Sequence, residues 1–191
     1  MLNRHVKYWV ALISGFALSS PLFAQEFKSL EKAMASPLEV IHLDLHRERL
    51  SEVPPEIALF TNLETLDLSK NSIDSLPEFL LNLKHLKEID LSRNDFEEIP
   101  VLLTRMDSLV HLHMARNPIK EVPAYISEFK KLEYLDLWDS DLEIIHPNII
   151  QLKTLRKIDV RATFIKSKDL EWLEKGRKDL EIKSTYGCNC N

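Results

Sequence analysis

The sequence predicts an α/β solenoid: an arc of repeats whose parallel sheet of about seven short strands lines the concave side, with short helices at both ends. Three observations predict this fold. The chain repeats itself every 23 residues over 40–176. Each copy contains the apolar alternation of a half-buried strand. The segments before and after the copies have apolar residues at helical spacing.

Six copies of the repeat follow one another without a gap. The second copy is LETLDLSKNSIDSLPEFLLNLKH, and the last runs one residue short. The copies open at Val40, Leu63, Leu86, Leu109, Leu132 and Leu155. Apolar residues recur at positions 1, 4, 6, 11, 14, 18 and 21 of a copy. Because no copy can bury such a set alone, neighbouring copies are expected to stack around a shared core.

Two polar or turn-forming residues also recur within the copies. Position 9 is expected to form a buried, structural asparagine ladder that bonds backbone groups of the turn, made of Asn71, Asn94 and Asn117. Prolines after position 14 favour extended backbone on the convex side, at Pro54, Pro77, Pro100 and Pro123. In the fifth copy His146 stands in the proline position and Pro147 follows, so the convex path is expected to change there.

The unit LxxLxLxxNxLxxLPxxLxxLxx resembles the leucine-rich repeat in its 23-residue form. It is similar to the repeats of plant intracellular Ras-group-related proteins and of the animal scaffold in Ras signalling. The resemblance covers residues 40–176 and indicates the fold far more than the function. We expect a protein-binding module, as in signal transduction. We expect no catalytic activity, because the sequence contains no nucleophile elbow, glycine-rich phosphate loop or zinc-protease motif. The resemblance does not imply a particular partner, because this architecture hosts many binding roles.

The first 24 residues have the layout of a secretory signal peptide. MLNRHVKYW contains Arg4 and Lys7, VALISGFAL is a short apolar run, and small residues lead to Ala24. We expect cleavage after Ala24 and export to the periplasm, the cell surface or the medium; an uncleaved anchor is the alternative. Cleavage would leave 23 basic and 30 acidic residues, a net charge of −7. This balance disfavours nucleic-acid binding, and nothing after residue 24 resembles a membrane span.

Both ends of the repeat array are expected to be capped. Residues 25–39 predict an N-terminal cap helix closed by Pro37, with one apolar face made of Phe27, Leu30, Ala33 and Met34. At the other end Ser167 is expected to N-cap a helix that stops at Gly176. Residues 177–191 then form a cap strand and a tail, with Leu180 and Ile182 on the seventh strand.

The strand face that points away from the core is the expected binding surface. Position 5 forms a column of aspartates, a common charged column on a solvated face. Tyr134 and Trp138 are expected to face solvent, with a shallow hollow beside Ala115. The predicted partner-binding patch, for a protein or peptide, comprises His111, His113, Arg116, Tyr134, Asp136, Trp138, Asp139, Asp159 and Arg161. We expect the protein to be a monomer.

Two other functions remain open from the sequence. His111 and His113 leave one strand on the same face, so with Asp90 or Asp136 they could hold a metal ion for a hydrolase. Carboxylates nearby would favour histidine cations instead, and we expect no metal and no cofactor. Cys188 and Cys190 could link a structural envelope component to another molecule, since a bond between residues two apart is strained.

Overall fold

The computed structural model describes residues 26–185. Its main sheet contains eight parallel strands. They are β1 (Glu26–Phe27), β2 (His42–Asp44), β3 (Thr65–Asp67), β4 (Glu88–Asp90), β5 (His111–His113), β7 (Tyr134–Asp136), β9 (Lys157–Asp159) and β10 (Glu181–Lys183). A second parallel sheet on the convex side pairs β6 (Glu121–Val122) with β8 (Ile144–Ile145). The predicted α/β solenoid is thus confirmed, with eight strands in its concave sheet instead of about seven.

The register of the main sheet follows the sequence period. His42 pairs with Thr65, and Thr65 with Glu88, so each step across the sheet is one 23-residue copy. His111 pairs with Tyr134 in the same way. Residues at the same position of every copy therefore form straight columns across the concave face.

Buried apolar side chains fill the inside of the coil layer by layer. In the second copy the buried residues are Leu63, Leu66, Leu68, Ile73, Leu80 and Leu83. Leu76, at position 14, is half-buried and packs against this core from its rim. Burying one leucine side chain contributes roughly 1.5–3 kcal/mol, so the stacked layers provide most of the driving force for folding.

The convex side consists of short 3-10 helices. They span Pro55–Leu59, Glu78–Asn82, Val101–Arg105, Ala124–Glu128 and Pro147–Gln151. The proline before a helix is itself extended, as Pro77 shows with φ −76° and ψ 149°. The expectation that the backbone path changes at His146 is wrong. His146 is extended like the prolines, and its ring Nδ1 accepts a hydrogen bond from the Asn148 amide, which starts the helix at the usual place.

The N-terminal cap differs from the single helix expected over residues 25–39. It consists of β1, the helix α1 (Leu30–Met34) and a 3-10 turn that begins at Pro37. Phe27 therefore lies on a strand, where it is buried at the end of the core, and Met34 is 37% exposed. Pairing of β1 with β2 satisfies backbone groups that the first repeat would otherwise leave free at the sheet edge.

The C-terminal cap consists of α2 (Ser167–Gly176) and β10. Ser167 is the first helical residue and not the N-cap, and no side chain caps this helix. Arg177, only 1% exposed, follows α2 and donates hydrogen bonds to the carbonyls of Leu152 (2.7 Å) and Leu155 (2.6 Å). Its guanidinium also pairs with Asp179 at 2.9 Å, so one buried cation fastens the last turn of the coil. Between residues 26 and 185, neither helix is long and apolar enough to cross a bilayer.

Candidate functional site

The candidate site is the concave face, defined as the side of the main sheet that points away from the core. In the three-residue strands of the first five repeats, the middle residue is buried and both neighbours are half-buried. Leu66 and Leu112 are interior, whereas Asp67 and His113 line the concave side. The strand alternation thus gives every repeat two side chains on this surface.

The aspartates at position 5 have a structural task. In each of five repeats one carboxylate oxygen accepts a hydrogen bond from the backbone amide two residues later. The distances are 3.0 Å for Asp44, 2.8 Å for Asp67, 2.8 Å for Asp90, 3.0 Å for Asp136 and 3.2 Å for Asp159. Each bond holds the chain where it leaves the strand. Asp136 and Asp159, both in the predicted patch, are therefore committed in part to the fold.

The position-8 residues at the end of these turns have left-handed backbone conformations. Their φ angles lie between 57° and 61° at Arg47, Lys70, Arg93, Arg116, Asp139 and Ala162. An L-residue loses roughly 1–2 kcal/mol in this conformation. Inter-repeat hydrogen bonds offset the cost, such as the bond from the Arg93 amide to the Ala115 carbonyl at 2.8 Å. Sequence reasoning missed this conformation because no glycine marks it.

The asparagines at position 9 connect each repeat to the one before it. The side-chain oxygen of Asn94 accepts from the Ile73 amide at 3.0 Å, and its nitrogen donates to the carbonyls of Leu68 and Leu91 at 3.0 Å. Asn71 and Asn117 repeat this arrangement one copy away on either side. Ser140 is shorter and donates only to Leu137 at 2.8 Å.

Two histidines and a glutamate form a compact group in the middle of the concave face. Glu88 lies between the rings: one oxygen is 3.4 Å from His111 Nδ1 and the other is 3.3 Å from His113 Nε2. On the far side His113 Nδ1 lies 3.8 Å from Asp136. Sequence reasoning named Asp90 and Asp136 as neighbours and missed Glu88, whose longer side chain reaches both rings from β4.

The electrostatics of this group favour the histidine cation. Burial alone lowers the pKa of His113, but contact with Asp136 and the charges of Asp90 and Glu88 together raise it above its ordinary value. Burial opposes ionisation of Asp136, yet its contacts with His113 and the Trp138 amide bring the pKa of Asp136 below the usual range. Both pKa shifts favour the charged forms of His113 and Asp136, as expected for an ion pair.

Aromatic rings continue the surface on β7. The Tyr134 ring meets His113 edge to face at 5.3 Å between centroids and His111 at 6.3 Å. Burial, followed by the charge of Asp136, raises the pKa of the Tyr134 hydroxyl to about 12, so the phenol stays neutral. These contacts hold Tyr134 half-buried and in a fixed orientation.

Trp138 differs from the expectation of a ring beside an open hollow. The Arg116 guanidinium lies 4.3 Å from the centre of the Trp138 ring and covers one of its faces. Arg116 Nε is also 2.8 Å from an Asp139 oxygen, at an angle that makes this an ion pair and not a hydrogen bond. Arg116, Trp138 and Asp139 thus form a stacked platform in which Trp138 is half-buried.

The last two residues of the predicted patch form a tight ion pair. Arg161 Nη2 lies 2.6 Å from Asp159, and Arg161 Nε lies 2.9 Å from the other oxygen of that carboxylate. Asp159 is only 2% exposed, so it is not the open acidic group that was expected. Of the pair, Arg161 alone presents its side chain to solvent.

The residues that could hold a metal are not those considered from the sequence. Between residues 26 and 185, one group brings three potential ligand atoms within 4.8 Å of one another, and it consists of Asp44, His46 and Asp67. His46 Nδ1 already lies 2.6 Å from Asp44. His111 and His113 do not belong to this group. Cys188 and Cys190 lie outside the described residues.

Comparisons with known proteins agree with this geometry. A family model described as "Leucine rich repeat" matches residues 39–95 and 61–119. No curated protein matches the chain. A solved leucine-rich-repeat protein of Leptospira interrogans is 25% identical to the chain, with a TM-score of 0.65. The match covers 83% of this chain and 46% of that protein, so the chain spans less than half the length of its structural relative.

The structure extends the repeat beyond the residues that the family model matches. β7 and β9 keep the register of the earlier strands, although Ser140 and Thr163 replace the asparagine of their repeats. Both hydroxyls donate to the carbonyl three residues earlier, at 2.8 Å and 2.7 Å. The sequence period, the sheet and the comparisons lead to one conclusion: the described part of the chain is a leucine-rich-repeat solenoid.

Proposed function

We propose that this protein is an exported module that binds a protein or a peptide on its concave face. Leucine-rich-repeat proteins are typically binding modules without catalytic activity. The proposed surface is the predicted patch with Glu88 added, centred on β5 and β7. We propose no cofactor for it.

The dimensions of the concave face suit such a partner. Eight strands at about 4.8 Å spacing give a sheet roughly 34 Å wide, enough for an extended peptide or one helix. Across the middle strands this surface is lined by half-buried polar and aromatic side chains, whereas the large apolar residues lie in the core. A partner would therefore be recognised mainly by side chains that already stand in place.

The observation on which the proposal depends is the stacked platform of Arg116 and Trp138 beside Tyr134. Arginine, tryptophan and tyrosine are the residue types that most often dominate binding energies at protein interfaces. Here the Arg116 guanidinium fixes the indole, and the rings of His111 and His113 fix Tyr134. Side chains held in this way lose little conformational entropy when a partner binds.

Affinity capture with the purified protein, followed by mass spectrometry, tests the proposal. We expect Trp138→Ala to lower the amount of captured partner at least tenfold. Its free energy of unfolding should fall by only roughly 1–2 kcal/mol, because a half-buried ring and its cation–π contact are lost. Phe164→Ala is the matched control, since Phe164 is 65% exposed and lies off the concave strands. Equal capture by wild type and Trp138→Ala would refute the proposed surface.

Export is a separate part of the proposal, and the layout of residues 1–24 supports it. Fractionation of expressing cells and determination of the N-terminal residue of the purified protein test it. We expect the protein outside the cytoplasm with Gln25 as its first residue. Recovery of cytoplasmic protein that still contains residues 1–24 would refute export and leave the proposed binding surface unaffected.

A further inference from the structure

His113 interrupts a structural rule of the sheet. Position 5 is aspartate in the other five repeats, and each of those carboxylates accepts the backbone amide two residues later. At β5 the residue two positions later is Ala115, and an imidazole on His113 replaces the carboxylate there. A repeat that gives up a recurrent stabilising bond is a place where a functional role is expected.

Charged groups from both neighbouring strands surround His113. Glu88 on β4 is 3.3 Å away, and Asp90 on the same strand adds its charge. On β7, Asp136 is 3.8 Å away and the Tyr134 ring packs against the imidazole. His111 on the same strand shares Glu88 with it. Only 23% of the His113 side chain is exposed, so water screens these interactions weakly.

The strand positions around His113 carry mostly acidic side chains. From β1 to β7 the concave-facing strand residues are Glu26, His42, Asp44, Thr65, Asp67, Glu88, Asp90, His111, His113, Tyr134 and Asp136. Six of these are carboxylates and none is lysine or arginine. The histidines are therefore the only groups on these strand positions that can supply positive charge. Arg116 and Arg161 lie in the turns after β5 and β9, where they are paired with Asp139 and Asp159.

We propose that protonation of His113 regulates partner binding on the concave face. The imidazolium offsets one of the two negative charges of Glu88 and Asp136, and when His113 is neutral both carboxylates can attract a cationic side chain of the partner. This inference rests on the proposed function, because it concerns regulation of the same surface. It also states the chemistry of the partner: a segment that presents arginine or lysine to β4, β5 and β7.

The mechanism is competition between a proton and a partner cation. With His113 protonated, the imidazolium lies between Glu88 and Asp136 and offsets one of their two negative charges. With His113 neutral, one ring nitrogen presents a lone pair to a carboxylate, and the negative charge of the surface increases by one. A guanidinium that approaches these carboxylates then gains an interaction that the proton no longer supplies. Binding should therefore tighten as pH rises through the pKa of His113.

The first test follows His113 in the free protein by NMR titration of its ring protons. We expect a midpoint above the ordinary imidazole value of about 6.5. Glu88→Gln should lower this midpoint, because it removes a charge 3.3 Å from the ring but keeps the shape of the side chain. A midpoint at or below the ordinary value, or one that Glu88→Gln leaves unchanged, would overturn the proposal.

The second test measures binding of a synthetic peptide in which arginine alternates with serine, at about pH 5.5 and about pH 8. If the proton and the peptide exclude each other, a midpoint of about 6.5 or higher predicts binding at least tenfold tighter at the higher pH. His113→Asn should lose most of this difference, since asparagine stays neutral and its oxygen can accept the Ala115 amide. His85→Asn is the matched control and should keep the pH dependence, because His85 is exposed and lies outside the proposed surface.

Three outcomes would overturn the proposal: no binding of the arginine peptide at either pH, equal pH dependence in wild type and His113→Asn, or tighter binding of a glutamate–serine peptide. None of them bears on affinity capture, which tests the proposed function separately. Capture of a partner with pH-independent affinity would refute regulation and leave the binding function standing. Failure to capture any partner, with the expected titration of His113, would refute the binding function itself.

Discussion

Replacing Asn94 by alanine tests whether the asparagine ladder holds the repeats together. Asn94 is 5% exposed and makes three hydrogen bonds of 3.0 Å. Two of them end on carbonyls that keep a second donor, because Leu68 also accepts from Asn71 and Leu91 also accepts from Asn117. The third bond is to the Ile73 amide, which the substitution leaves buried without its side-chain acceptor.

The size of the effect follows from this inventory. An orphaned buried amide costs roughly 1–3 kcal/mol, and each shared bond that is lost costs roughly 0.5–1 kcal/mol. The sum predicts that Asn94→Ala lowers the free energy of unfolding by about 3 kcal/mol. For a domain of this size that corresponds to a fall in melting temperature of roughly 6–12 °C.

Urea denaturation followed by circular dichroism measures this change. Asn82→Ala is the matched control, because Asn82 is exposed on a convex 3-10 helix and should change stability by less than about 0.5 kcal/mol. Asn94→Ser should fall between the two, since Ser140 shows that a hydroxyl at this position keeps one of the three bonds. A loss below about 1 kcal/mol for Asn94→Ala would refute the view that the ladder stabilises the coil.

Three further expectations follow from buried charges or from charged groups with shifted pKa values. Arg177→Met should lower the free energy of unfolding, measured in urea, by about 3 kcal/mol, since it removes hydrogen bonds to two buried carbonyls. Arg105→Met removes an exposed ion pair and should lower it by less than about 1 kcal/mol. Equal losses in the two variants would contradict this prediction. Asp90→Asn should raise the melting temperature at pH 7, because burial and then the charge of Asp67 raise the pKa of Asp90 and so disfavour its ionised form in the folded protein. This gain should vanish below about pH 3.8, where the Asp90 carboxyl is neutral in the folded and in the unfolded protein. An unchanged melting temperature at pH 7 would contradict the prediction. Hydrogen bonding to Arg177 lowers the pKa of Asp179 to about 2. In an acid titration the free energy of unfolding of wild type should therefore decrease as pH falls from about 3.8 toward 2. Arg177→Met should lack this decrease.

The sequence period was sufficient to predict most of the fold. Constant 23-residue spacing places each strand beside the next, and strand alternation decides which side chains enter the core. The strand β1 could not be predicted in this way, because Phe27 continues the helical spacing of Leu30 and Ala33. Its two residues form a strand because they pair with β2. This pairing is a tertiary interaction, and the local sequence pattern does not reveal it.

The candidate site was less predictable because it depends on side-chain reach across strands. Register arithmetic places His111, His113 and Tyr134 together, and the structure brings the three rings within contact distance. The register alone cannot show that Glu88 reaches both histidines or that Arg116 lies over Trp138. These contacts depend on side-chain rotamers and on the left-handed backbone at position 8. Columns on a sheet therefore predict neighbours better than they predict contacts.

Because each repeat packs only on its neighbours, the two ends of the sheet should open before its centre does. Backbone amides of β4, β5 and β7 should then exchange their hydrogens with solvent most slowly, and those of β1 and β10 fastest. A ligand seated on β5 and β7 would rest on the part of the protein that persists when the terminal turns unravel. Fraying confined to β1 or β10 would thus leave the strands of the proposed surface paired with one another.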